Sequence, residues 1–243
     1  MTLAATVVLL RDGEHGLEVF MVVRASTMAF GAGAAVFPGG KVDVSDSDLL
    51  EDDPLACQKI AALRETFEEV GALFALHNGE PLSAQALEGL QTWRSKLDKH
   101  KVSFSEFCAA NGLEPDDTKL HPIARWMTPE GAKRQFDTYF FAAAMPEGQN
   151  LEHDGHEAVA SDWFQPAQAL GLFERGEMSL MPPTLWTLKD LAGYDTVASA
   201  LDGLTLEDVP LSRPYMVEKE GDRFIIVDGR EPMPAAKIVS AIG

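Results

Sequence analysis

The stretch Ala56–Ala72, ACQKIAALRETFEEVGA, carries the strongest structural signal in this sequence. It places Arg64, Glu65, Glu68 and Glu69 within six residues. In an α-helix, residues three and four positions apart lie on one side, so the three carboxylates project together. Like charges at that spacing destabilise an isolated helix, whereas hard divalent cations prefer clustered oxygen ligands. The helix is therefore either a solvated acidic face or a platform for a metal ion.

The residues before and after this stretch favour the metal platform. Asp53 followed by Pro54 combines an N-cap acid with proline at the first helical position, which predicts that the helix begins there. Gly71 occupies the position of a left-handed C-terminal residue and predicts the end of the helix. Upstream, Gly39 and Gly40 in the segment VFPGGKV allow the backbone to turn sharply beside a site.

The chain is strongly acidic, with 38 Asp and Glu against 20 Lys and Arg among 243 residues, and its formal net charge is −18. This charge argues against binding to a nucleic-acid backbone or to an anionic membrane surface. An anionic substrate therefore requires locally placed cations or a metal ion at the site.

The two cysteines, Cys57 and Cys108, stand alone, and the sequence contains no Cys-x-x-Cys spacing. A zinc or redox motif is therefore not indicated, and we expect two small core residues in a reducing compartment. The apolar N-terminal run TLAATVVLL is interrupted by Arg11 too early for a signal peptide or a membrane span. We therefore expect a cytoplasmic protein.

Strand and helix patterns alternate along the chain, which predicts a single α/β (α+β) domain over residues 1–243. We predict strands at Thr2–Leu10, Leu17–Arg24, Leu73–Ala75, Leu120–Met127, Phe136–Ala144 and Ala158–Phe164. We predict helices at 54–70, Ala84–Leu97, Phe104–Ala110, Pro166–Glu174 and Pro183–Leu191. We expect an acidic loop over Asp43–Asp53, and a hairpin in the tail between Tyr215–Val217 and Phe224–Val227.

These residues resemble the signature of the Nudix hydrolase family, G-x5-E-x7-R-E-U-x-E-E-x-G-U, where U is a bulky apolar residue. Gly40 fits the first glycine of the signature. The second half fits residue by residue at Arg64, Glu65, Glu68, Glu69 and Gly71. This half is specific, because five residues recur at fixed spacing on a capped helix that follows a glycine loop.

The first half of the signature departs from the family pattern. Gly40 and Arg64 are 24 residues apart, against 14 in the signature, so ten residues are inserted within 43–53. Asp46 stands at the position of the first signature glutamate. The residues that compete with it for that role are Asp48, Glu51, Asp52 and Asp53. The sequence leaves this carboxylate unassigned.

An insertion at this place is similar to that of the Nudix subgroup that includes mammalian peroxisomal coenzyme A diphosphatases. In that subgroup an arginine precedes a loop of small residues that leads to FPGG, as Arg24 does here. A late helix begins with prolines, as at residues 181–183. The coenzyme A fingerprint of related diphosphatases has a second arginine in the loop, and residues 26–30 supply none.

The resemblance implies a Nudix-type α/β/α sandwich with a mixed sheet, a helical insertion at 77–115 and a C-terminal extension at 196–243. It implies metal-dependent hydrolysis of a diphosphate linkage in a nucleotide-derived small molecule, with coenzyme A or an acyl-coenzyme A favoured. The alternative substrates are ADP-ribose, a dinucleotide and a nucleoside triphosphate. A ligand-sensing Nudix domain without turnover is the alternative of another class, and the three retained carboxylates argue against it.

The resemblance also assigns roles to side chains. Mg²⁺ or Mn²⁺ would be held by Glu65, Glu68 and Glu69, and Glu69 is alternatively the base that activates water. Arg64 is expected to orient a carboxylate rather than to touch the substrate. The candidates for substrate binding are Arg24, Gly39, Gly40, Lys41 and Arg134. For Arg24, Lys41 and Arg134 the alternative is an ordinary surface or strand-end position.

The acidic loop at 147–157 holds further candidates. Glu157, with Glu152 and Asp154 behind it, is expected to supply an additional metal ligand or base. His153 and His156 are interpreted as solvated loop residues rather than as a metal pair. The aromatic residues that either stack on an adenine or belong to the core are Phe30, Phe37, Tyr139 and Trp163. The expected partner is a small-molecule diphosphate, and a homodimer is left open.

Overall fold

A computed structural model describes residues 1–26, 31–49, 53–132, 134–153, 155 and 158–237 of the chain. The strands are β1 (Thr2–Gly13), β2 (Gly16–Arg24), β3 (Ala35–Val36), β4 (Gly39–Lys41), β5 (Ala75–His77), β6 (Glu80–Pro81), β7 (Leu113–Pro115), β8 (His121–Met127), β9 (Phe136–Ala144), β10 (Ala158–Phe164), β11 (Leu211–Ser212), β12 (Tyr215–Lys219), β13 (Asp222–Ile226) and β14 (Met233–Pro234). The helices are α1 (Ala56–Val70), α2 (Ala84–Leu90), α3 (Arg94–Asp98), α4 (Phe104–Asn111), α5 (Pro166–Glu174), α6 (Pro182–Leu191) and α7 (Val197–Leu204).

The main sheet is mixed in strand direction. Its strands follow the order β10-β2-β1-β9-β8-β11, and β3 and β4 extend it by pairing with β2 and β1. β1 runs parallel to β9 and β11 parallel to β8, whereas β1–β2, β2–β10 and β8–β9 are antiparallel pairs. Two smaller three-stranded sheets have the orders β6-β5-β7 and β12-β13-β14. The mixed α/β class predicted from the sequence is confirmed.

The strand β1 lies at the centre of the main sheet and is buried on both faces. Its Val7 and Leu9 pack in one hydrophobic cluster with residues of α1, while Val8 and Leu10 pack in a second cluster with residues of α5, α6 and α7. A strand that is covered on both faces needs apolar side chains at nearly every position, which explains the uninterrupted run TLAATVVLL. The helices on either side of the sheet form an α/β/α sandwich.

The helical insertion packs directly against α1. Phe107 of α4 is fully buried and stacks on Phe67 of α1, with ring centroids 5.2 Å apart and an interplanar angle of 15°. Trp93 and Phe104 complete the cluster, with their ring centroids 5.6 Å and 5.8 Å from that of Phe107. The insertion is thereby joined to the helix that carries the acidic residues.

Several elements have the predicted bounds. Phe136–Ala144, Ala158–Phe164 and Pro166–Glu174 are observed as predicted. The predicted tail hairpin is present as β12 and β13. Its turn residues Glu220 and Gly221 both have positive φ, of 56° and 89°, as a two-residue hairpin turn of type I′ requires.

The predicted start of α1 at Pro54 is wrong by two residues. The Asp53 side chain accepts a hydrogen bond from the Leu55 N–H at 2.7 Å, and the Asp53 carbonyl accepts one from the Ala56 N–H at 3.0 Å. These bonds form a turn, and the helix begins only at Ala56. The acidic segment before it is not a plain loop either, because Val44–Asp48 forms a 3₁₀ turn.

Two further predictions need correction. The predicted helix Ala84–Leu97 is interrupted by a 3₁₀ turn at Gln91–Trp93, where the Gln91 side chain donates to the carbonyl of Gly71. The predicted strand Leu73–Ala75 begins at Ala75, because the backbone of Leu73 pairs with the side chain of Gln149 instead. The elements α7, β11 and β14 were not predicted.

We expect Phe107→Ala to lower the free energy of unfolding by about 3–5 kcal/mol, because it leaves a cavity between the insertion and α1. Urea unfolding followed by circular dichroism measures this loss. The control Glu88→Ala removes an exposed side chain of α2 and should change stability by no more than about 0.5 kcal/mol. Equal effects of the two substitutions would contradict the packing of the insertion on α1.

Candidate active site

The acidic side of α1 faces a cavity of about 1040 Å³. Glu65, Glu68 and Glu69 all line it, together with Gly39 and Gly40 of the glycine loop. Glu68 is only 8% exposed, and Glu65 and Glu69 are half-buried. A simple solvated acidic face is therefore excluded, because these carboxylates lie under the glycine loop.

A buried guanidinium holds this acidic cluster together. Arg64 Nε and Nη2 donate to the two carboxylate oxygens of Asp46, each at 3.0 Å. Nη1 donates to Glu65 Oε1 at 3.1 Å and to Glu68 Oε1 at 3.3 Å, and Nη2 also donates to the carbonyl of Lys41 at 2.8 Å. Although burial acts to lower the pKa of Arg64, these acidic neighbours raise it above its ordinary value. Arg64 therefore contacts three carboxylates, and the role expected for it, to orient a carboxylate, stays a prediction.

Asp46 is the acid of the inserted segment that contacts Arg64. Its side chain is fully buried and also accepts a hydrogen bond from the Asp43 N–H at 2.7 Å. Asp53 has other partners, since its carboxylate bonds the Leu55 N–H and the Lys59 ammonium. The remaining competitors, Glu51, Asp52 and the side chain of Asp48, lie outside the described residues.

The glycine loop lies very close to its neighbours, which are backbone atoms at Gly39 and the Glu65 carboxylate at Gly40. A Cβ on Gly39 would lie 2.3 Å from the carbonyl oxygen of Ala5, and one on Gly40 would lie 2.3 Å from Glu65 Oε1. This close approach lets the Gly39 N–H donate to Glu69 Oε2 at 3.0 Å. The loop thereby fixes one of the three carboxylates of α1.

Burial raises the pKa of Glu68 to about 8. The positive charge of Arg64 opposes this shift, while the negative charges of Glu65 and Asp98 add to it. Near neutral pH the Glu68 carboxyl is therefore largely protonated when no cation is bound.

The donor set fits a hard divalent cation by its chemistry. Carboxylate oxygens are the ligands that Mg²⁺ and Mn²⁺ prefer, and a cation would favour the ionised form of Glu68. The carboxylates bond to Arg64 and Gly39 instead. Over the part of the chain that the structure describes, no group of three or more His, Cys, Asp and Glu side chains converges on a common point.

The C-terminal turn of α1 is held by Arg94 of the helical insertion. Its Nε donates to the carbonyl of Glu68 at 3.1 Å, and its Nη2 donates to the carbonyls of Glu69 and Glu152, each at 2.8 Å. The Glu152 N–H in turn donates to the carbonyl of Val70 at 3.0 Å. Sequence analysis missed Arg94, because nothing local to it indicates contacts with residues about 25 and 58 positions away.

The predicted phosphate-binding residues surround the same cavity. Arg24, Lys41 and Arg134 all line it, so cations from three separate segments belong to the cavity that also holds the acidic cluster. Arg64 lines it as well, and Arg223 of β13 is a fifth lining cation, which sequence analysis missed because the tail carries no recognisable motif. These positions agree with a role in binding an anion.

The acidic loop is described only in part. Glu157, Asp154 and His156 lie outside the described residues. Glu152 is exposed, and His153 Nδ1 accepts a hydrogen bond from the Gly155 N–H at 3.1 Å. The roles expected for Glu157 stay predictions.

Among the aromatic candidates, Phe37 lines the cavity. Tyr139 stacks on Phe141, and Trp163 packs edge-on against Phe20 with ring centroids 5.2 Å apart, so both belong to the packing of the sheet. Phe30 is outside the described residues. Aromatic lining residues that the sequence did not indicate are Trp126, Phe136, Phe140, Tyr215 and Phe224.

Among the described residues, no helix has the length and apolar character needed to cross a membrane.

Comparison with known proteins places this geometry in a family context. Residues 48–191 match the family model described as the NUDT19 Nudix domain. The human acyl-coenzyme A diphosphatase NUDT19 is 30% identical over 164 residues, which cover 60% of this chain and 44% of that protein. The protein of the same name from Gallus gallus is 26% identical over 240 residues, covering 76% and 64%. The chain thus spans less than two thirds of the length of these relatives.

A solved structure shares the fold. The crystal structure of a NUDIX hydrolase from Alicyclobacillus acidocaldarius superposes with a TM-score of 0.73 and 30% sequence identity. The match covers 86% of this chain and 98% of that chain. The architecture is therefore shared over nearly the whole length of the solved protein.

We expect Asp46→Ala to lower the free energy of unfolding by about 3–5 kcal/mol, because it leaves the buried Arg64 without its bidentate partner. Denaturant unfolding measures the loss. The control Glu177→Ala removes the exposed ion pair with Arg175 and should leave the unfolding midpoint unchanged. If Asp46→Ala were as mild as the control, the pair would not hold the inserted segment in place.

The raised pKa of Glu68 predicts a pH dependence of stability in metal-free protein. Between about pH 4.5 and 8 the folded state keeps a proton that the unfolded state loses, so unfolding becomes easier as pH rises through this window. Glu68→Gln removes this contribution, and its stability relative to wild type should therefore increase from pH 5 to about 8. Thermal unfolding in EDTA tests this, with Glu88→Gln as the matched control. A constant difference across the window would exclude a proton on Glu68.

Proposed function

Because the chain belongs to the family of NUDT19 Nudix domains, we propose that it hydrolyses the diphosphate linkage of coenzyme A or of an acyl-coenzyme A. The family and the fold expected from the sequence are thereby confirmed. The observation that carries the proposal is the cavity in which the α1 carboxylates, the glycine loop and several cations meet. The substrate class follows the printed names of the human and Gallus gallus relatives.

Glu65, Glu68 and Glu69 would hold the divalent cation, which we propose to be Mg²⁺ or Mn²⁺. When bound, such an ion neutralises the charge that develops on phosphate oxygens. Arg64 donates hydrogen bonds that hold the carboxylates of Glu65 and Glu68 in place, and the Gly39 N–H orients the carboxylate of Glu69. The chain therefore supplies a rigid carboxylate platform rather than a flexible acidic patch.

With a net charge of −18, the protein as a whole repels an anionic substrate, and the cations that line the cavity offset this repulsion locally. Arg24, Lys41 and Arg134 line the cavity and would attract and orient the diphosphate, and Arg223 of β13 adds a positive charge to the lining. Because they come from separate segments, they can contact different phosphate oxygens. An acidic protein can in this way bind an anionic substrate at one place.

The reaction needs a proton acceptor for the attacking water. In the proposed reaction the water oxygen forms a bond to one phosphorus, and the bridging P–O bond breaks with its electron pair going to the leaving phosphate. The water proton passes to a carboxylate, for which Glu69 and Glu157 are the candidates. The cytoplasmic location and the homodimer stay predictions.

The test is a product analysis on coenzyme A with Mg²⁺. We expect 4′-phosphopantetheine and 3′,5′-ADP, and no product when EDTA replaces the metal. Glu69→Gln should lower kcat by about 10²-fold or more, because it removes a candidate metal ligand and proton acceptor from the platform. The control Glu88→Gln alters an exposed glutamate of α2 and should retain wild-type turnover.

Other outcomes point elsewhere. Cleavage of ADP-ribose, a dinucleotide or a nucleoside triphosphate with coenzyme A left intact would contradict the substrate but keep the reaction class. Binding of such a ligand without cleavage of any of them would favour a sensor. Wild-type turnover in Glu69→Gln would remove Glu69 from the proposed chemistry.

A further inference from the structure

The floor of the cavity is a row of directly paired residues across the main sheet. Lys41 of β4 pairs with Ala4 of β1, Ala4 pairs with Thr138 of β9, and Thr138 pairs with Trp126 of β8. All four residues line the cavity. Because neighbouring strands lie about 4.8 Å apart, the row extends roughly 14 Å from the glycine loop to Trp126.

The far end of this row is covered by the C-terminal extension. Ser212 of β11 pairs with Trp126, and Val227 and Met233 pack in the same hydrophobic cluster as Trp126. The sheet formed by β12, β13 and β14, here called the tail sheet, contributes Met216, Phe224 and Ile225 to the lining of the cavity. The cavity therefore has a charged end at α1 and a largely apolar lining between Trp126 and the tail sheet, where Asp222 and Arg223 of β13 are the charged lining residues.

Exposed apolar side chains continue this end toward the solvent. Eight large hydrophobic side chains are exposed in the described ranges, and four of them lie within Leu211–Val217. Tyr215 and Met216 are each 47% exposed and Val217 is 40% exposed. Of these four residues, Tyr215 and Met216 also line the cavity, so its apolar lining reaches the solvent at this place.

We propose that the tail sheet binds the acyl chain of an acyl-coenzyme A and so makes the enzyme prefer long-chain thioesters over free coenzyme A. This inference rests on the proposed function. Met216 and Tyr215 are the specificity-determining residues. Flexible methionine and the flat face of tyrosine suit a long chain that takes many conformations.

The dimensions of the substrate agree with this assignment. The arm that joins the diphosphate of coenzyme A to its sulfur contains about as many bonds as four residues of peptide, and it extends over roughly 14 Å. With the diphosphate held between the α1 carboxylates and Lys41, the sulfur reaches the level of Trp126. An acyl group attached to the sulfur then begins where the apolar lining begins.

The adenosine half of the molecule is the competing occupant of this end. A single adenine needs one or two flat partners and hydrogen bonds to its edge. Tyr215 offers one flat partner, but Met216 and its strand partner Ile225 are aliphatic lining residues that make no hydrogen bond to a base edge. An acyl chain contacts the aromatic and the aliphatic lining residues alike, which is why we favour it.

The experiment compares the double variant Tyr215→Ser/Met216→Ser with Val159→Ser. Val159 is 56% exposed on β10 and is absent from the cavity lining, so it controls for the loss of an exposed apolar side chain. For each protein, kcat/KM is measured with Mg²⁺ on free coenzyme A, acetyl-coenzyme A and dodecanoyl-coenzyme A. Thermal unfolding confirms that both variants are folded.

We expect the ratio of kcat/KM for dodecanoyl-coenzyme A to that for free coenzyme A to fall about tenfold in the double variant, mainly through KM. A tenfold change corresponds to the loss of roughly 55 Å² of apolar contact. Acetyl-coenzyme A should behave like free coenzyme A, since its acyl group is too short to reach the tail sheet. Val159→Ser should leave the ratio within about twofold.

An unchanged ratio would overturn the proposal. An equal loss on free and acylated substrate would also overturn it, and would assign this end of the cavity to the adenosine half. If wild type cleaved none of the three compounds, the proposed function would fail, and calorimetric binding would then decide about the tail sheet. Tighter binding of dodecanoyl-coenzyme A than of free coenzyme A, lost in the double variant, would support it, and equal binding would refute it.

Discussion

The structure depends on one buried interaction, in which the guanidinium of Arg64 joins Asp46, Glu65, Glu68 and the carbonyl of Lys41. It connects three segments that are distant in sequence, namely the inserted acidic segment, the glycine loop and α1. Three carboxylates around one arginine leave an excess of negative charge in a buried place. Burial raises the pKa of Glu68, so that uptake of a proton by this carboxylate would relieve part of the excess, and a divalent cation would relieve the rest. The hydrogen bonds of Arg64 thus hold three segments of the fold together and also keep the Glu65 and Glu68 carboxylates close to each other.

Features with a local cause could be read from the sequence. The periodic apolar residues Ile60, Leu63 and Phe67 predicted α1, and the β-rich run Phe136–Ala144 predicted β9 with its observed bounds. Gly71 ends α1 in the left-handed conformation, with φ of 78°, as its position predicted. These signals succeed because helix periodicity, strand propensity and capping act over a few residues.

Features that depend on distant partners could not be read in this way. Five acids of the inserted segment compete in sequence for the place of the signature carboxylate, and it is the fold that brings Asp46 to Arg64. In the sequence, Trp126 is one of several apolar residues of a predicted strand, and its contact with the C-terminal tail is visible only in the structure. Arg223 is a further example, because its place in the cavity lining could not be predicted from the sequence. The net charge describes the whole chain, whereas binding of an anion depends on the few cations that line the cavity.

The contacts of Arg94 have a consequence for the dynamics of the molecule. One guanidinium donates to carbonyls of α1 and of the loop at 147–153, while its own helix is anchored through the cluster around Phe107. The two carbonyls of α1 are partly buried and lose this donor when the insertion moves away, so opening of the insertion loosens the end of α1. They therefore form one cooperative unit of local unfolding. The glutamates of α1 and the loop at 147–153 therefore become ordered together or lose their order together. The arrangement of carboxylates that we propose for metal binding exists only when the whole unit is folded.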